Sequence, residues 1–355
     1  MKTRIGVIFG GRSGEHEISI RSARTVIEQA DKLKYSIVPM AISSEGEWLD
    51  TRSSIELLPD GIADLMESTE TASENKGKFS NVDIVFPVLH GTNGEDGTIQ
   101  GLFEIERIPY VGCGVLASSC GMDKVVMKSL FQEAGLPICK YAWFLRSEWE
   151  RAEQNVIDLI EKNIGYPCFV KPANLGSSVG VSRANDAESL KSAINEAAKY
   201  DRKIVVEENI EMREIECAVI GNEEPEASLP GEYIIRDADK RFLDYTEKYS
   251  ATGNNEFTVP APISDELADK IKKLAIDAFK AIDGSGLARV DFFLRSDTGM
   301  LMVNEINTMP GLTDASGFPK MWAASGMPFP TVIDKLVELG LDRFRDTSRN
   351  KTDFI

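Results

Sequence analysis

The sequence of 355 residues lacks an excess of basic side chains, and this excludes one class of partner. Its 40 lysines and arginines are outnumbered by 57 aspartates and glutamates, so the net charge is −17. A protein that neutralises a phosphate backbone needs a basic face. We therefore expect no nucleic-acid partner. Any anionic ligand must be held by a local cluster of cations and backbone N–H groups, together with a divalent cation.

Cysteine and long apolar runs are also scarce. The five cysteines form no C-x-x-C pair, and their odd number argues against a disulfide framework. No apolar run is long enough to span a bilayer, and the apolar stretch at residues 5–9 is too short for a signal peptide. These absences predict a cytoplasmic protein with reduced thiols and no membrane partner.

Several catalytic signatures are missing as well. The chain has no G-x-x-x-x-G-K-[ST] motif, which excludes a P-loop, and no Ser-His-Asp or Cys-His constellation. The stretch GCGVLA, residues 112–117, fits G-x-G-x-x-A, but a dinucleotide site needs that turn at the start of a βαβ unit. A dinucleotide-dependent oxidoreductase is therefore a disfavoured alternative.

The order of predicted elements indicates an α/β protein with more than one domain. A strand, a glycine turn, a helix and a second strand open the chain, which predicts a parallel sheet. We expect an N-terminal α/β domain at residues 1–121, a central α+β module at 122–214 and a C-terminal domain at 215–355 that holds a metal site and a substrate loop.

A hairpin near the C-terminus carries polar residues where a sheet interior favours valine. Glu305 and Asn307 lie two apart on one strand, so both side chains point to one face. Asp291 joins them if it pairs opposite Glu305, which a three-residue loop at 297–299 would produce, with Gly299 in the left-handed conformation.

Two carboxylates and an amide oxygen are hard ligands suited to Mg²⁺ shared with substrate phosphates. Arg289 lies on the same face by parity, so a buried ion-pair network is the alternative interpretation.

A glycine and serine loop follows another buried strand, which ends in Lys171. Gly176, Ser177, Ser178 and Gly180 supply backbone N–H groups and hydroxyls that can fold over phosphates, with the lysine as a point charge beneath. An ordinary hairpin loop explains the same composition.

These motifs together resemble the D-alanine:D-alanine ligase family of ATP-grasp enzymes over nearly the whole chain. The matching stretches are FGGRSGEHEIS, LHGTNGEDGTIQG, MDK, VKPANLGSSVGV, VEENI, KYS, RVDFF and NEINTMPG. The resemblance implies an ATP-grasp fold in the central and C-terminal domains, preceded by a parallel-sheet α/β domain. It also implies a homodimer.

The resemblance implies roles for the polar residues in binding ATP and metal. The nucleotide-binding residues would be Lys124, Lys171, Gly176, Ser177, Ser178, Glu207, Glu208, Ile210, Glu214 and Lys248. Two Mg²⁺ or Mn²⁺ ions would be held by Asp291, Glu305 and Asn307.

The implied reaction is ATP-dependent joining of two D-alanine molecules through an acyl phosphate, for peptidoglycan synthesis. Glu15 and His90 would hold the first D-alanine, and Ser316 the carboxylate of the second. Arg289 and the N–H of Gly311 would stabilise the developing oxyanion. From its position alone, Glu15 would simply complement a helix dipole.

The resemblance bears on the second substrate through two positions. Tyr249, in a network with Ser177 and Glu15, favours an amine acceptor. Gly317 stands where the family commonly has leucine or methionine, which predicts a roomier second subsite. The alternatives are a D-alanine:D-lactate or D-alanine:D-serine ligase, and a catalytically silent nucleotide-binding regulator.

Overall fold

The computed structural model describes residues 2–59, 77–176, 179–235 and 255–351. Four predicted site residues, Ser177, Ser178, Lys248 and Tyr249, lie outside these ranges. The N-terminal elements are β1 (Thr3–Gly10), α1 (His16–Gln29), β2 (Tyr35–Ile42), α2 (Thr51–Glu56), β3 (Ile84–Pro87), α3 (Thr98–Ile105) and α4 (Val115–Met122).

The N-terminal strands form the predicted parallel sheet, in the order β2-β1-β3. Ser19 fixes the turn from β1 into α1, because its hydroxyl accepts from the N–H of Gly10 at 2.8 Å and donates to the carbonyl of Val88 at 2.6 Å. The N-terminus of α1 therefore lies at the carboxyl ends of β1 and β3.

The central elements are α5 (Lys124–Glu133), β4 (Tyr141–Leu145), α6 (Arg146–Arg151), α7 (Glu153–Asn163), β5 (Cys168–Pro172), β6 (Ser182–Ala184), α8 (Ala187–Ala197) and β7 (Lys203–Glu208). The four strands form an antiparallel sheet in the order β4-β7-β5-β6. Asp123 and Asp186 begin α5 and α8 by accepting from backbone N–H groups of the first turn.

One predicted helix in this region is two. The apolar spacing from Ser147 to Ile164 indicates a single helix, whereas Ala152 has a φ of −151° and separates α6 from α7. Nothing in the sequence around Ala152 explains the break.

The C-terminal elements are β8 (Met212–Gly221), β9 (Glu226–Ala227), β10 (Gly231–Ile235), β11 (Asn255–Thr258), α9 (Asp265–Ala281), β12 (Gly286–Arg295), β13 (Leu301–Asn307), α10 (Gly317–Ala324) and α11 (Phe329–Thr347). The strand order is β11-β10-β8-β12-β13, and β9 pairs with β8. One face of β8, β12 and β13 packs against α9, and the opposite face carries the polar residues of the hairpin.

The N-terminal sheet and the last two helices share one hydrophobic core. Val332, Ile333 and Leu336 of α11 pack into the same cluster as Ile5 and Val7 of β1. The first and last parts of the chain are therefore held together by apolar burial.

The GCGVLA stretch lies at a junction in this arrangement. A Cβ on Gly286 would lie 2.8 Å from the Cα of Gly112, and Arg343 donates to the carbonyl of Gly112 at 2.5 Å. Gly112 also has a φ of +100°. Close backbone packing and a left-handed conformation therefore account for Gly112 and Gly286. Across the described ranges, no helix is both long enough and apolar enough to cross a bilayer.

Candidate active site

The hairpin of β12 and β13 has the predicted pairing at its polar end. Asp291 pairs with Glu305, and Arg289 pairs with Asn307. Gly299 has the predicted left-handed conformation, with a φ of +68°. Both carboxylates therefore lie on neighbouring strands at the same level of the sheet.

The route to this pairing differs from the prediction. Arg295 donates its N–H to the carbonyl of Met300 at 3.0 Å, so the loop has four residues and not three. The register then shifts between Asp291 and Phe292, because Asn304 is an extra residue on β13. This β-bulge brings Glu305, and not Asn304, opposite Asp291.

Helix α5 and the segment after it supply hydrogen bonds at the bulge. The Nζ of Lys128 donates to the carbonyl of Asn304 at 3.3 Å. The N–H of Val303 donates to the carbonyl of Pro137 at 2.7 Å, and the N–H of Ile306 contacts the Sδ of Met127 at 3.4 Å. The bulge is thus tied to the central part of the chain on both sides of Asn304.

Arg289 forms an ion pair with Asp291 on the polar face. Its Nε and Nη2 donate to the two carboxylate oxygens at 2.7 and 2.6 Å, and its Nε lies 3.4 Å from Oε1 of Glu216 on β8. The ion-pair network considered as the alternative is therefore formed by the described side chains. The metal site at Asp291, Glu305 and Asn307 stays a prediction.

Lys124 links the hairpin to the start of the glycine loop. Its Nζ donates to the carbonyl of Leu175 at 2.9 Å and lies 3.9 Å from Oε2 of Glu305. A Cβ placed on the next residue, Gly176, would lie 3.8 Å from Oε2 of Glu15. The described start of the loop therefore lies between the hairpin and the N-terminal domain.

Glu207 lies between two lysines in the interior. Its oxygens lie 3.0 Å from the Nζ of Lys128 and 2.7 Å from the Nζ of Lys171, and its side chain is 3% exposed. Burial opposes ionisation of this carboxyl, but the charges of Lys128 and Lys171 outweigh burial and lower its pKa well below the usual range. The same ion pairs raise the pKa of both lysines against their own burial.

The end of β7 presents both backbone and apolar groups. Glu208 exchanges hydrogen bonds with Lys140, since its N–H donates to that residue's carbonyl at 3.1 Å and its side chain accepts from the N–H at 2.7 Å. Ile210 is buried in a small cluster with Phe293 and Met302. Glu214 lies on β8 opposite Phe293. The predicted adenine end of the site therefore contains an apolar patch beside a strand end.

Glu15 and His90 meet at the edge of the N-terminal sheet. Glu15 is the residue before α1, but its side chain makes no capping hydrogen bond to the helix. Its Oε2 lies 2.8 Å from the position of a Cβ on Gly91, the residue after His90. The carboxylate therefore lies beside Gly91, and its charge helps to raise the pKa of His90.

His90 is buried and fully engaged. Its Nδ1 donates to the carbonyl of Met309 at 3.1 Å and lies 3.6 Å from Oε1 of Glu95, while its Nε2 is 3.0 Å from the hydroxyl of Ser22. Burial lowers the pKa of His90, but Glu95 and then Glu15 outweigh it, so the net shift is upward. His90 thereby connects the N-terminal domain to the segment that follows β13.

That segment carries the remaining predicted substrate residues. Gly311 is buried, and Ser316 is buried at the start of α10. The hydroxyl of Ser316 accepts from the N–H of Thr313 at 3.2 Å and lies 2.7 Å from its hydroxyl. Ser316 is therefore held in place by its own turn.

The surroundings of Gly317 differ from the roomier subsite that the sequence suggested. A Cβ at this position would lie 2.7 Å from Oε2 of Glu216 and 2.8 Å from Cζ of Phe257. Real Cβ atoms do not approach that closely. The space that a larger side chain would take at Gly317 is filled by these two neighbours.

The chemistry of the donors fits a divalent cation. Asp291 and Glu305 are opposed in register and Asn307 follows two residues later, so hard oxygens project from one face. Among the described residues, no group of three or more histidine, cysteine, aspartate or glutamate side chains has metal-binding spacing. The predicted ligand set contains two such side chains, Asp291 and Glu305, and the amide of Asn307, so it has fewer than the three side chains of those types that define such a group.

Three residues in this region were missed by the motif analysis. Lys128 follows Lys124 by four residues on an otherwise apolar face of α5, and this spacing was the available signal. Glu95 lies within LHGTNGEDGTIQG, a stretch that indicated the family resemblance but gave Glu95 no role of its own. Glu216 alternates with Glu214 along β8, which places both on the polar face.

The chain resembles known proteins over most of its length. The model of the D-ala D-ala ligase N-terminus matches residues 4–113, and that of the D-ala D-ala ligase C-terminus matches residues 130–338. A D-alanine–D-alanine ligase from Heliobacterium modesticaldum is 46% identical, with 99% of this chain and 98% of the relative covered. One from Geobacillus thermodenitrificans is also 46% identical, with 98% and 97% covered.

Two solved structures share the fold. The D-alanine-D-alanine ligase of Coxiella burnetii aligns with a TM-score of 0.82 and 36% identity over 98% of both chains. The VanG D-Ala:D-Ser ligase of Enterococcus faecalis aligns with a TM-score of 0.80 and 35% identity over 96% of this chain and 100% of its own. With both family models matched and relatives aligned over nearly its full length, the chain belongs to the D-alanine–D-alanine ligase family, whose fold is the ATP-grasp fold.

Proposed function

We propose that this protein joins two D-alanine molecules into D-alanyl-D-alanine with ATP, through a D-alanyl phosphate, and releases ADP and phosphate for peptidoglycan synthesis. The observation that carries the proposal is the convergence at Lys124. This lysine lies 3.9 Å from Glu305, and its partner Leu175 precedes Gly176, which lies beside Glu15. The hairpin, the described start of the glycine loop at Gly176 and the N-terminal carboxylate thus lie around a common space.

For the nucleotide, we assign the adenine end to the strand end of Glu207, Glu208 and Ile210, with Glu214 at the ribose. The apolar contacts of Ile210 with Phe293 and Met302 support this assignment, because a base needs an apolar surface beside a few polar groups. Lys124 and Lys171 would contact the phosphates, and Gly176 begins the loop that would cover them.

For the metal, we propose two Mg²⁺ or Mn²⁺ ions held by Asp291, Glu305 and Asn307 together with the phosphates of ATP. The ions would neutralise phosphate charge in the transition state. Arg289 and Lys124 already place positive charge beside Asp291 and Glu305.

For the first D-alanine, the carboxylate of Glu15 would hold the ammonium group, with His90 beside it. The substrate carboxylate attacks the γ-phosphorus, ADP leaves, and a mixed anhydride forms. The buried network of His90 with Glu95, Ser22 and the Met309 carbonyl supports a fixed subsite, because each side of the imidazole has a partner.

For the second D-alanine, Ser316 would bind the carboxylate while the amine attacks the anhydride carbonyl, and phosphate leaves. Arg289 and the N–H of Gly311 would stabilise the oxyanion of that step. Ser177, Ser178, Lys248 and Tyr249 are assigned by motif alone, as loop contacts, a γ-phosphate contact and an acceptor-side hydrogen bond.

D-serine is a second candidate acceptor. The structural similarity to the VanG D-Ala:D-Ser ligase favours it over D-lactate, against which Tyr249 argues. We also propose that the protein is a cytoplasmic homodimer, and the five free cysteines are consistent with a reducing compartment.

Phosphate release with ATP and Mg²⁺, coupled to chromatography of the product, tests the proposal. D-alanine should give D-alanyl-D-alanine, and competition with D-serine and D-lactate measures the acceptor preference. Turnover with L-alanine but not D-alanine would refute the function. Tight Mg²⁺–ADP binding without any dipeptide would favour the silent regulator.

A further inference from the structure

Lys128 has an environment that its neighbours on α5 do not share. Its side chain is 1% exposed, although a charged lysine in the interior is stable only where it is paired. It makes three contacts: Oε1 of Glu207 at 3.0 Å, the carbonyl of Asn304 at 3.3 Å and the Sγ of Cys139 at 3.5 Å.

Neutralising Glu207 does not by itself explain this lysine. Lys171 already donates to the other oxygen of Glu207 at 2.7 Å, so the carboxylate would be paired without Lys128. With both lysines present, the buried cluster of Lys128, Lys171 and Glu207 has a net charge of +1, so pairing with Glu207 leaves one lysine charge uncompensated. Beyond Glu207, Lys128 contacts the Sγ of Cys139 and the carbonyl of Asn304, and the contact to Asn304 is the one that reaches the hairpin.

Asn304 is the extra residue of the β-bulge. In a regular register the residue opposite Asp291 would be Asn304, and the bulge replaces it with Glu305. A bulged residue has no place in the ladder, so its carbonyl needs another donor, and Lys128 supplies one.

We propose that Lys128 is a positioning residue that couples the two ends of the ATP site. It holds the Glu207 carboxylate at the adenine end and fixes the bulge that turns Glu305 and Asn307 toward the phosphates. This inference rests on the proposed function, because it assigns nucleotide and metal to those two ends. Its distinguishing consequence is that loss of Lys128 weakens metal binding at residues that it does not touch.

Lys128→Met tests this inference, because methionine keeps the length of the side chain but removes the donors. Lys128→Gln is the second variant, since it keeps a polar group should the methionine fail to fold. Lys128→Arg keeps the charge and the donors. Lys191→Met is the control, because Lys191 is an exposed lysine of α8 whose ion pair among the described residues is with Glu153.

The primary readout is the rise in melting temperature that ADP causes, measured over a range of free Mg²⁺ concentrations. The Mg²⁺ concentration that gives half of the maximal rise is compared between variants, and this measurement requires no turnover. The second readout is the Mg²⁺ dependence of dipeptide formation. We expect Lys128→Met and Lys128→Gln to raise the half-saturating Mg²⁺ at least fivefold, Lys128→Arg to stay within threefold of the wild type, and Lys191→Met to match it. The KM for D-alanine should change less than twofold.

A half-saturating Mg²⁺ raised less than threefold in Lys128→Met and Lys128→Gln would overturn the inference, even if both variants melt earlier, because a purely structural lysine lowers stability alone. Failure of the proposed function looks different. The wild-type protein would then bind Mg²⁺–ADP but form no dipeptide, and the comparison of ADP stabilisation would still decide the role of Lys128.

Discussion

Replacing Gly317 with alanine tests the crowding around the second subsite. The new Cβ would approach Oε2 of Glu216 to 2.7 Å and Cζ of Phe257 to 2.8 Å, against an ordinary contact of about 3.5 Å or more. One or both neighbours must therefore move by about 0.7 Å.

Neither neighbour moves cheaply. Glu216 is 4% exposed and lies 3.4 Å from Arg289. Phe257 packs against Tyr233, with ring centroids 4.6 Å apart. Overpacking at a well-filled position typically costs about 1–3 kcal/mol.

An opposing effect must be subtracted. Gly317 is the first residue of α10, and alanine in a helix is favoured over glycine by about 0.5–1 kcal/mol. Overpacking is the larger effect, so we expect a net destabilisation of about 1–2 kcal/mol. The KM for the second D-alanine should also rise, because Ser316 directly precedes the crowded position.

The assay is urea unfolding followed by acceptor kinetics, with Gly101→Ala as the matched control. Gly101 lies inside α3, and a Cβ there would meet no atom within 4 Å, so this change should stabilise the protein by about 0.5–1 kcal/mol. Phe257→Leu should relieve the crowding and give a coupling of about 1 kcal/mol with Gly317→Ala.

The result that would refute this reasoning is a Gly317→Ala protein as stable as Gly101→Ala, with an unchanged KM. The space beside Gly317 would then be open, as the family pattern alone suggested. A coupling near zero with Phe257→Leu would refute the contact more narrowly.

Three further changes test the charged groups. Asn307→Ala should lower Mg²⁺-dependent turnover at least tenfold. It should cost only about 1 kcal/mol in urea unfolding, because in the described contacts the amide oxygen accepts from the N–H of Met309 alone. Lost stability with intact activity per folded molecule would contradict the metal role. The free energy of unfolding of the wild type should exceed that of His90→Gln most below pH 6.5, because a raised pKa means that the fold favours protonated His90. This difference should disappear as the pH rises through the raised pKa of His90. A difference in urea unfolding that does not depend on pH would contradict the shift. Glu207→Gln should cost about 3–5 kcal/mol near neutral pH, because it removes a buried charge from its two lysine partners. That loss should fade as the pH falls below 4.5 toward the lowered pKa of Glu207. An equal loss at low pH in urea unfolding would show that the fold does not lower the pKa of Glu207.

The sequence predicted the faces of the hairpin well, because side-chain alternation in a strand has a fixed period of two. The pairing of Asp291 with Glu305 is confirmed. The loop length was wrong by one residue, and the bulge at Asn304 compensates for that residue. A bulge changes the register without changing the local composition, so it left no signal in the strand itself.

Buried lysines are hard to predict for a related reason. Lys128 on an apolar helix face looks like any lysine whose chain reaches solvent. Its burial depends on Glu207, which is 79 residues away on β7, and on the carbonyl of Asn304. The space around Gly317 likewise depends on strands β8 and β11, which no local pattern at α10 describes.

The charge pattern of the hairpin also bears on how a face that holds an ion-pair network could hold the proposed metal ions. Two carboxylates opposed in register repel each other and require cations. Arg289 covers Asp291 bidentately, and Lys124 lies 3.9 Å from Glu305, so the protein supplies part of that compensation itself. The two carboxylates are therefore partly compensated by cations of the protein itself. A divalent ion at the proposed site would compete with Arg289 and Lys124 for the same oxygens unless phosphates arrived with it. Metal affinity would then be coupled to nucleotide binding.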